Sequence, residues 1–401
     1  SLEEAAEQSV TVVDRQGRLL RAFTTASGRW RLPAGPADVH PRYLAMLFTY
    51  EDRRFEDHRG VDPLAFVRSA RQLATTGRIV SGGSTLTMQV ARLLDRRHDR
   101  TGLGKLRQIV RAQQLERRLT KQEILALYLK LAPFGGNLEG VRAASLAYFG
   151  KEPMRLSVGE AALLVALPQA PESRRPDVDP AAARRARDRV LDSALEAEVI
   201  SADEAAQAKR EAVPDRRKAV PQIAAHLAEA ERAADPTVAQ HALTIDLDLQ
   251  RSLEALAAEH ARALGPKLSV AVLVVEHASG AVLAHVGSAG YLDNARFGAI
   301  DMTGAVRSPG STLKPLIYGL AFEQGLAHPE TLIEDRPTRF ESYAPKNFDD
   351  AFHGTVSIRE ALQLSLNIPA VKVLAEVGPG RLMARLEAAG IEYSLPRGTE
   401  P

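Results

Sequence analysis

The sequence of 401 residues contains no cysteine. The chain therefore cannot form a disulfide, use a thiol as a nucleophile or hold a metal through cysteine. This absence does not indicate a compartment, because an exported protein can fold without disulfides. It does exclude the classes of protein that depend on thiol or disulfide chemistry.

Long apolar runs are also missing. The longest ones, such as 268–275 and 161–167, are far shorter than the ~20 residues that a membrane-spanning helix needs. The chain starts at Ser1 without the basic and apolar segments of a signal peptide. We expect that an N-terminal anchor helix or signal has been removed from it.

The net charge is low, at +2, although Lys and Arg together number 52. No overall field favours nucleic acid, so we expect no nucleic-acid partner. The apolar and charged fractions are those of a soluble globular protein, and the length suits two to three domains.

The periodicity of apolar residues divides the sequence into a helical part and a mixed part. Residues 10–23 alternate around Gln16-Gly17, which predicts a short hairpin. A strand running into a helix is predicted from Leu243 onward, followed by a hairpin that turns at Ser279-Gly280. We predict four segments: an entry segment at 1–40, an α-helical domain at 41–215, a linker at 216–241 and an α/β domain at 242–401.

A first group of candidate residues lies at the end of a predicted apolar helix. Glu51 and Asp52 stand beside two arginines and are followed by Phe55 and His58. A deprotonated Glu51 could act as a general base. A helix end with local ion pairs would have the same sequence, so this motif alone decides nothing.

A second motif sets glycines just ahead of hydroxyl side chains at a predicted helix start. Gly83 allows a ligand to approach the backbone closely, and Ser84 and Thr85 follow it. This arrangement suits an anion, although an ordinary N-cap looks similar. The basic residues that follow could hold a diphosphate, lie against anionic lipid or form a solvated face: they are Arg92, Arg96, Arg97, Arg100, Lys105, Arg107 and Arg111.

Four motifs in this order resemble the glycosyltransferase domain of class A penicillin-binding proteins: EDRRFEDHRGVD, GGSTLTMQVARLL, KQEILALYLKLAPFGG and AASLAYFGK. The stretch APFGGNLEG most resembles the 1C-type subgroup. The resemblance implies a mainly α-helical, lysozyme-like domain. It also implies transfer of a polyprenyl-diphosphate-linked glycan to the 4-hydroxyl of lipid II, the lipid-linked disaccharide-pentapeptide.

By this resemblance, Glu51 deprotonates the acceptor hydroxyl. The other predicted residues bind substrate or neutralise the diphosphate leaving group: they are Asp52, Phe55, His58, Gly83, Ser84, Thr85, Gln89, Arg92, Lys105 and Gln108. Gln108 stands where the family usually has a glutamate, and it cannot ionise. No metal ligand is predicted, and a divalent cation, Mg²⁺ or Mn²⁺, is the candidate cofactor for glycosyl transfer.

A second constellation begins at Ser311. Lys314 follows three residues later, so on one helical turn its amine can reach the hydroxyl. This S-x-x-K pattern occurs in penicillin-binding proteins, but alone it would also fit a capping serine and a surface lysine. Ser365 and Asn367 match the family's second element, S-x-N.

The resemblance implies that Ser311 attacks the D-Ala-D-Ala carbonyl of a peptidoglycan stem peptide and that β-lactams bind there. Lys314 and Ser365 would move protons, and Asn367 would orient the donor. The third element, K-T-G, does not follow Asn367. We therefore expect a partial, β-lactamase-like α/β transpeptidase domain, with transpeptidation reduced about a hundredfold or more.

The leading hypothesis is a bifunctional cell-wall synthase at the extracytoplasmic, periplasmic face of the cytoplasmic membrane, resting on that membrane through residues 66–80. One alternative is a penicillin-binding serine hydrolase or sensor with a helical appendage. Another is a non-catalytic scaffold of a wall-building complex, which Gln108 and the missing K-T-G favour.

Overall fold

The structure, a computed structural model, describes residues 7–64, 84–95, 102–340 and 343–394. The predictions made for Gly83, for Arg96, Arg97 and Arg100, and for 66–80 lie outside these residues. The chain divides into two compact units, Ser1–Gly304 and Ala305–Pro401. Within the described ranges, no helix is both long enough and apolar enough to cross a membrane.

The first unit combines short strands with most of the helices. Its strands are β1 (Thr11–Val13), β2 (Leu19–Ala22), β3 (Trp30–Arg31), β4 (Leu138–Glu139), β5 (Gln240–Ala242), β6 (Val272–Val275) and β7 (Val282–Val286). Its α-helices are α1 (Pro41–Glu51), α2 (Leu86–Leu93), α3 (Gly102–Glu116), α4 (Lys121–Leu131), α5 (Val141–Phe149), α6 (Val158–Ala166), α7 (Pro180–Glu196), α8 (Ala202–Arg210), α9 (Ala225–Ala234) and α10 (Leu247–Leu264).

The predicted entry hairpin is confirmed. Strands β1 and β2 pair antiparallel, and Gly17 occupies the turn with φ of +77°. The Asp14 carboxylate accepts the backbone N–H groups of Gln16 and Arg18, which closes the turn. Strand β5 adds to β1 in parallel. The entry segment therefore pairs, through β1, with a strand that follows the helical domain in the sequence.

The helical domain has one large core. Helix α6 is apolar on all sides and lies at its centre, against α1 and α7. Capping boxes begin three of the helices, through Thr120 with Glu123, Ser157 with Glu160 and Ser201 with Glu204. The predicted helical character of this region is confirmed.

The region after the helical domain is mixed, as predicted. Strands β6 and β7 form the expected antiparallel hairpin, with Gly280 at φ of +73°. The strand predicted to begin at Leu243 was misplaced, because it ends at Ala242. The Asp246 carboxylate then accepts the backbone N–H groups of Asp248 and Leu249 and starts α10.

The second unit packs helices against a two-stranded sheet. Its elements are α11 (Lys314–Glu323), β8 (Leu332–Asp335), β9 (Gly354–Ser357), α12 (Ile358–Gln363), α13 (Asn367–Val377) and α14 (Pro379–Ala388). Strands β8 and β9 are antiparallel, and α11 packs against α13. Ser311 lies in a short 3₁₀ turn, Gly310–Leu313, that leads into α11.

Candidate functional site

Glu51 is the last residue of α1, and its two carboxylate oxygens are held from two sides. Gln89 of α2 donates from Nε2 to Oε2 at 2.8 Å. Gln169, in the 3₁₀ turn after α6, donates from Nε2 to Oε1 at 2.8 Å. The structure thus brings the predicted pair Glu51 and Gln89 together. It adds Gln169, which lies in none of the motifs that the sequence analysis used.

The surroundings of Glu51 favour its neutral form more than water does. Burial raises the pKa of Glu51, and the two amides together with Arg174 and Arg92 offset part of that effect. Tyr43 and Tyr128 are buried nearby, and their hydroxyls have no hydrogen-bond partner among the described residues. Burial and then the charge of Glu51 raise the pKa of both tyrosines. A carboxyl group with a raised pKa is suited to general-base work near neutral pH.

Asp52 connects the end of α1 to the start of α2. Both of its carboxylate oxygens lie 3.0 Å from Nε2 of His58, and Oδ2 also accepts the Leu86 N–H at 2.9 Å. Asp52 and His58 are buried, as is Phe55, which stacks on Phe48. Asp52 and His58 thus tie the segment after Glu51 to the start of α2. The predicted part of Asp52, Phe55 and His58 in substrate binding stays a prediction.

Thr85 caps α2 and fixes the loop before it. Its hydroxyl accepts the Met88 N–H at 3.1 Å and donates to the Gly60 carbonyl at 2.7 Å. Gly60 has φ of +88°, and a Cβ atom there would lie 2.9 Å from the Ala112 backbone of α3. Any larger residue at position 60 would force α3 away from this loop.

Cationic side chains line the open side of the first site. Lys105 donates from Nζ to the Ser84 hydroxyl at 2.6 Å. Burial, followed by the charge of Arg92, lowers the pKa of Lys105. Arg92 is exposed, and Gln108 is half-buried. An anion bound here would relieve the repulsion between Lys105 and Arg92.

Lys314 is the centre of the second site. Its Nζ donates to the Asn367 Oδ1 at 2.7 Å, to the Ser365 hydroxyl at 3.1 Å and to the Ser365 carbonyl. Burial lowers the pKa of Lys314, which favours the free amine that a proton acceptor needs. Ser365 has φ of +53°, a conformation rare for a residue with a side chain. That conformation directs its carbonyl and its hydroxyl to the same amine.

The predicted contact between Lys314 and Ser311 is not formed. Ser311 is exposed, and among the described residues its hydroxyl has no hydrogen-bond partner. The amine is drawn instead to the oxygens of Ser365 and Asn367. The structure therefore brings three of the four predicted residues together and places the nucleophile one turn earlier on the same segment.

A buried polar network supports Asn367 from below. The Asn347 Oδ1 accepts the Asn367 N–H at 2.8 Å, and the Asn347 Nδ2 donates to both oxygens of Asp335, at 2.8 and 3.0 Å. Asp335 is fully buried and also accepts the His353 N–H. Asn347 falls within PKNFDDAFHG, a stretch that sequence reasoning recognised but from which it named no site residue.

Comparisons with known proteins find two domain matches in this chain. Residues 16–195 match the family model described as Transglycosylase, and residues 270–398 match the one described as Penicillin binding protein transpeptidase domain. Penicillin-binding protein 1C of Escherichia coli strain K12 is 47% identical over 97% of this chain and 50% of its own length. Penicillin-binding protein 1F of Bacillus subtilis strain 168 is 29% identical over 96% of this chain and 55% of its own length.

A crystal structure of penicillin-binding protein 1A from Haemophilus influenzae aligns with a TM-score of 0.40 and 17% identity, over 96% of this chain and 64% of that chain. The chain spans about half the length of the two curated relatives.

The matched regions define the class of protein: a helical glycosyltransferase domain followed by an α/β penicillin-binding transpeptidase domain. The chain belongs to the class A penicillin-binding proteins, and within them to the 1C type.

Proposed function

We propose that the first domain polymerises lipid II into glycan strands, with Glu51 as the general base. The observation that carries this proposal is the Glu51 carboxylate, held by Gln89 and Gln169 at a site whose open side carries Lys105 and Arg92. A base and an anion site this close together suit the displacement of a diphosphate by a hydroxyl group.

In the proposed reaction, the 4-hydroxyl oxygen of lipid II forms a bond to C1 of the terminal sugar of the growing chain. The hydroxyl proton passes to the Glu51 carboxylate. The bond from C1 to the diphosphate oxygen breaks with its electron pair, so negative charge grows on the leaving group. Lys105 and Arg92 would stabilise that charge, with Ser84 holding the Lys105 amine in place.

A divalent cation is the cofactor that the sequence analysis considered. Within the part of the chain that the structure describes, no group of three or more His, Asp or Glu side chains is placed to hold a metal ion. Gln108 offers an amide where a carboxylate would be the better ligand. The divalent cation therefore stays a prediction, and the proposed mechanism contains no step through one.

The second domain is proposed to bind β-lactams and stem peptides at Ser311. The grouping of Lys314, Ser365 and Asn367 supports this proposal, because it places a desolvated amine beside two proton-relaying and substrate-orienting groups. In acylation, the Ser311 oxygen would form a bond to the carbonyl carbon while its proton passes to the Lys314 amine. The bond from the carbonyl carbon to the nitrogen would break, and the nitrogen would take the proton from Lys314. D-Ala would then depart from a stem peptide, whereas the opened β-lactam would stay attached through its acyl group.

The membrane surface is the proposed location of the first domain, on the periplasmic side. Leu103, Leu106 and Val110 follow one another along one face of α3, and all three are exposed. Arg107 borders this face, four residues after Leu103, and could contact lipid phosphates. Such a face would keep the site close to its lipid-linked substrates.

The proposed activity is tested by incubating the chain with labelled lipid II and following polymer on a gel. We expect polymer with the wild type and at least about a tenfold lower kcat/KM for Lys105→Met, corresponding to about 1.4 kcal/mol of lost stabilisation of the leaving group. Lys209→Met is the matched control, because Lys209 pairs with Asp192 on the surface of the same domain. A folded wild type that forms no polymer would contradict the proposal and favour the scaffold alternative.

A further inference from the structure

Gln169 differs from the other groups at the first site because it contacts the proposed base, Glu51, from the solvent side. It is exposed, yet its Nε2 lies 2.8 Å from the Glu51 Oε1. Gln89 donates to the other oxygen from within the domain. The carboxylate is thus fixed by two amide donors on opposite sides, and both bonds favour its ionised form.

Arg174 determines which end of the Gln169 amide faces Glu51. Its Nη1 donates to the Gln169 Oε1 at 3.1 Å and to the Ala166 carbonyl at 2.7 Å. An arginine has no acceptor, so the Gln169 oxygen stays toward Arg174 and its NH₂ group stays toward Glu51. Arg174 also places a positive charge near the carboxylate.

From this geometry we infer that Gln169 and Arg174 are positioning residues that hold the Glu51 carboxylate in its ionised form. The inference rests on the proposed polymerisation. Gln169 and Arg174 follow α6 in a segment that Pro168 and Pro171 restrict, so the turn presents the amide in one place. Burial raises the pKa of Glu51, and the contacts of Gln169 and Arg174 would lower it.

Other titratable groups also influence Glu51, and none of them duplicates this arrangement. Tyr43 lies on α1 itself and Tyr128 on α4, and both are buried and neutral. Arg92 approaches from α2 and is exposed. Neither tyrosine is hydrogen-bonded to the carboxylate, so Gln89, Gln169 and the two arginines are the groups that favour its charge.

The inference is tested by the pH dependence of polymerisation in Gln169→Ala, Gln169→Glu and Arg174→Ala. A base with a higher pKa is protonated at higher pH, so the acidic limb of the rate profile should move upward. For Gln169→Ala we expect the acidic limb to move upward by about half a pH unit, which lowers the rate about threefold at pH values where Glu51 is mostly protonated. For Gln169→Glu we expect an upward shift of about one pH unit or more. Arg174→Ala should also move the limb upward.

Rates of all three variants should approach that of the wild type at high pH. Gln122→Ala removes an exposed glutamine on α4 and should leave the profile unchanged. An equal loss of rate at every pH, or an unmoved limb, would overturn the inference while polymerisation by the wild type still stood. Absence of polymer with the wild type would instead count against the proposed function. Because Gln169 is exposed, we expect its variants to fold, and circular dichroism checks this.

Discussion

Lys314 donates a hydrogen bond of 2.7 Å from its amine to the side-chain oxygen of Asn367, although the two residues belong to different helices. The bond joins the segment that carries Ser311 to the segment that carries Ser365. Burial of the amine lowers its pKa, so the site combines a fixed position with a more available lone pair. Both properties would help the Lys314 amine to take the proton of Ser311 during acylation.

Lys314→Met should lower the rate of acylation by a fluorescent penicillin at least about a hundredfold, because it removes the proposed proton acceptor. The measurement is the rate of labelling of Ser311 over time. Lys346→Met is the matched control, since that side chain is exposed and pairs with the exposed Asp350. Equal rates for Lys314→Met and the wild type would show that another group takes the proton.

Asn347→Ala should destabilise the second unit by about 3 kcal/mol. The substitution leaves the buried Asp335 carboxylate without two of its hydrogen bonds and the Asn367 N–H without an acceptor. Urea unfolding measures the change, with Gln363→Ala as an exposed amide control. A loss no larger than that of the control would mean that water replaces the Asn347 side chain.

Asp52→Ala should lower the free energy of unfolding of the first unit by about 3 kcal/mol, since it leaves a buried His58 and the Leu86 N–H without their common partner. Thermal unfolding followed by circular dichroism tests this. Asp57→Ala, which removes a largely exposed carboxylate from the same loop, should change little. Similar effects of the two substitutions would contradict the conclusion that the hydrogen bonds of Asp52 stabilise the first unit.

Glu51→Gln should stabilise the folded chain at pH 8 and not at low pH. The pKa of Glu51 is raised in the folded state, so the folded state binds this proton more tightly than the unfolded chain does. The resulting stability is present below the unfolded pKa and is lost as the pH rises through the folded pKa. The neutral amide avoids that loss. Melting temperatures of both proteins across pH 4 to about pH 8 check the sign, and a destabilised Glu51→Gln at pH 8 would contradict it.

Much of the first site could be predicted because its residues lie in contiguous motifs. Glu51 ends a helix that its own periodicity predicts, and Ser84, Thr85 and Gln89 surround the start of the next. Gln169 and Arg174 could not be found in this way. They reach Glu51 because α6 packs against α1, and this tertiary contact has no short-range signal in the sequence.

The second site shows the same limit. The spacing of Ser311 and Lys314 predicted a direct contact, on the assumption of one regular helical turn. The acceptors at Ser365 and Asn367 draw the amine away from Ser311. The Asp335 and Asn347 pair also depends on tertiary packing, because it joins the end of β8 to the loop before β9.

The predicted domain boundaries at 40, 215 and 241 remain predictions. The described structure divides after Gly304, because the β6–β7 hairpin packs with α10 in the first unit. Composition and proline positions indicate changes in local structure, whereas a compact unit is defined by contacts between distant residues.

The central claim is that Glu51 is the base of a working glycosyltransferase, and the rate of lipid II polymerisation by Glu51→Gln tests it most directly. Glu56→Gln is the control, because Glu56 is exposed on the loop just beyond α1. We predict that Glu51→Gln lowers the rate by about a hundredfold to ten-thousandfold while the protein stays folded and Glu56→Gln retains the wild-type rate. Polymer formed at the wild-type rate by a folded Glu51→Gln would contradict the account.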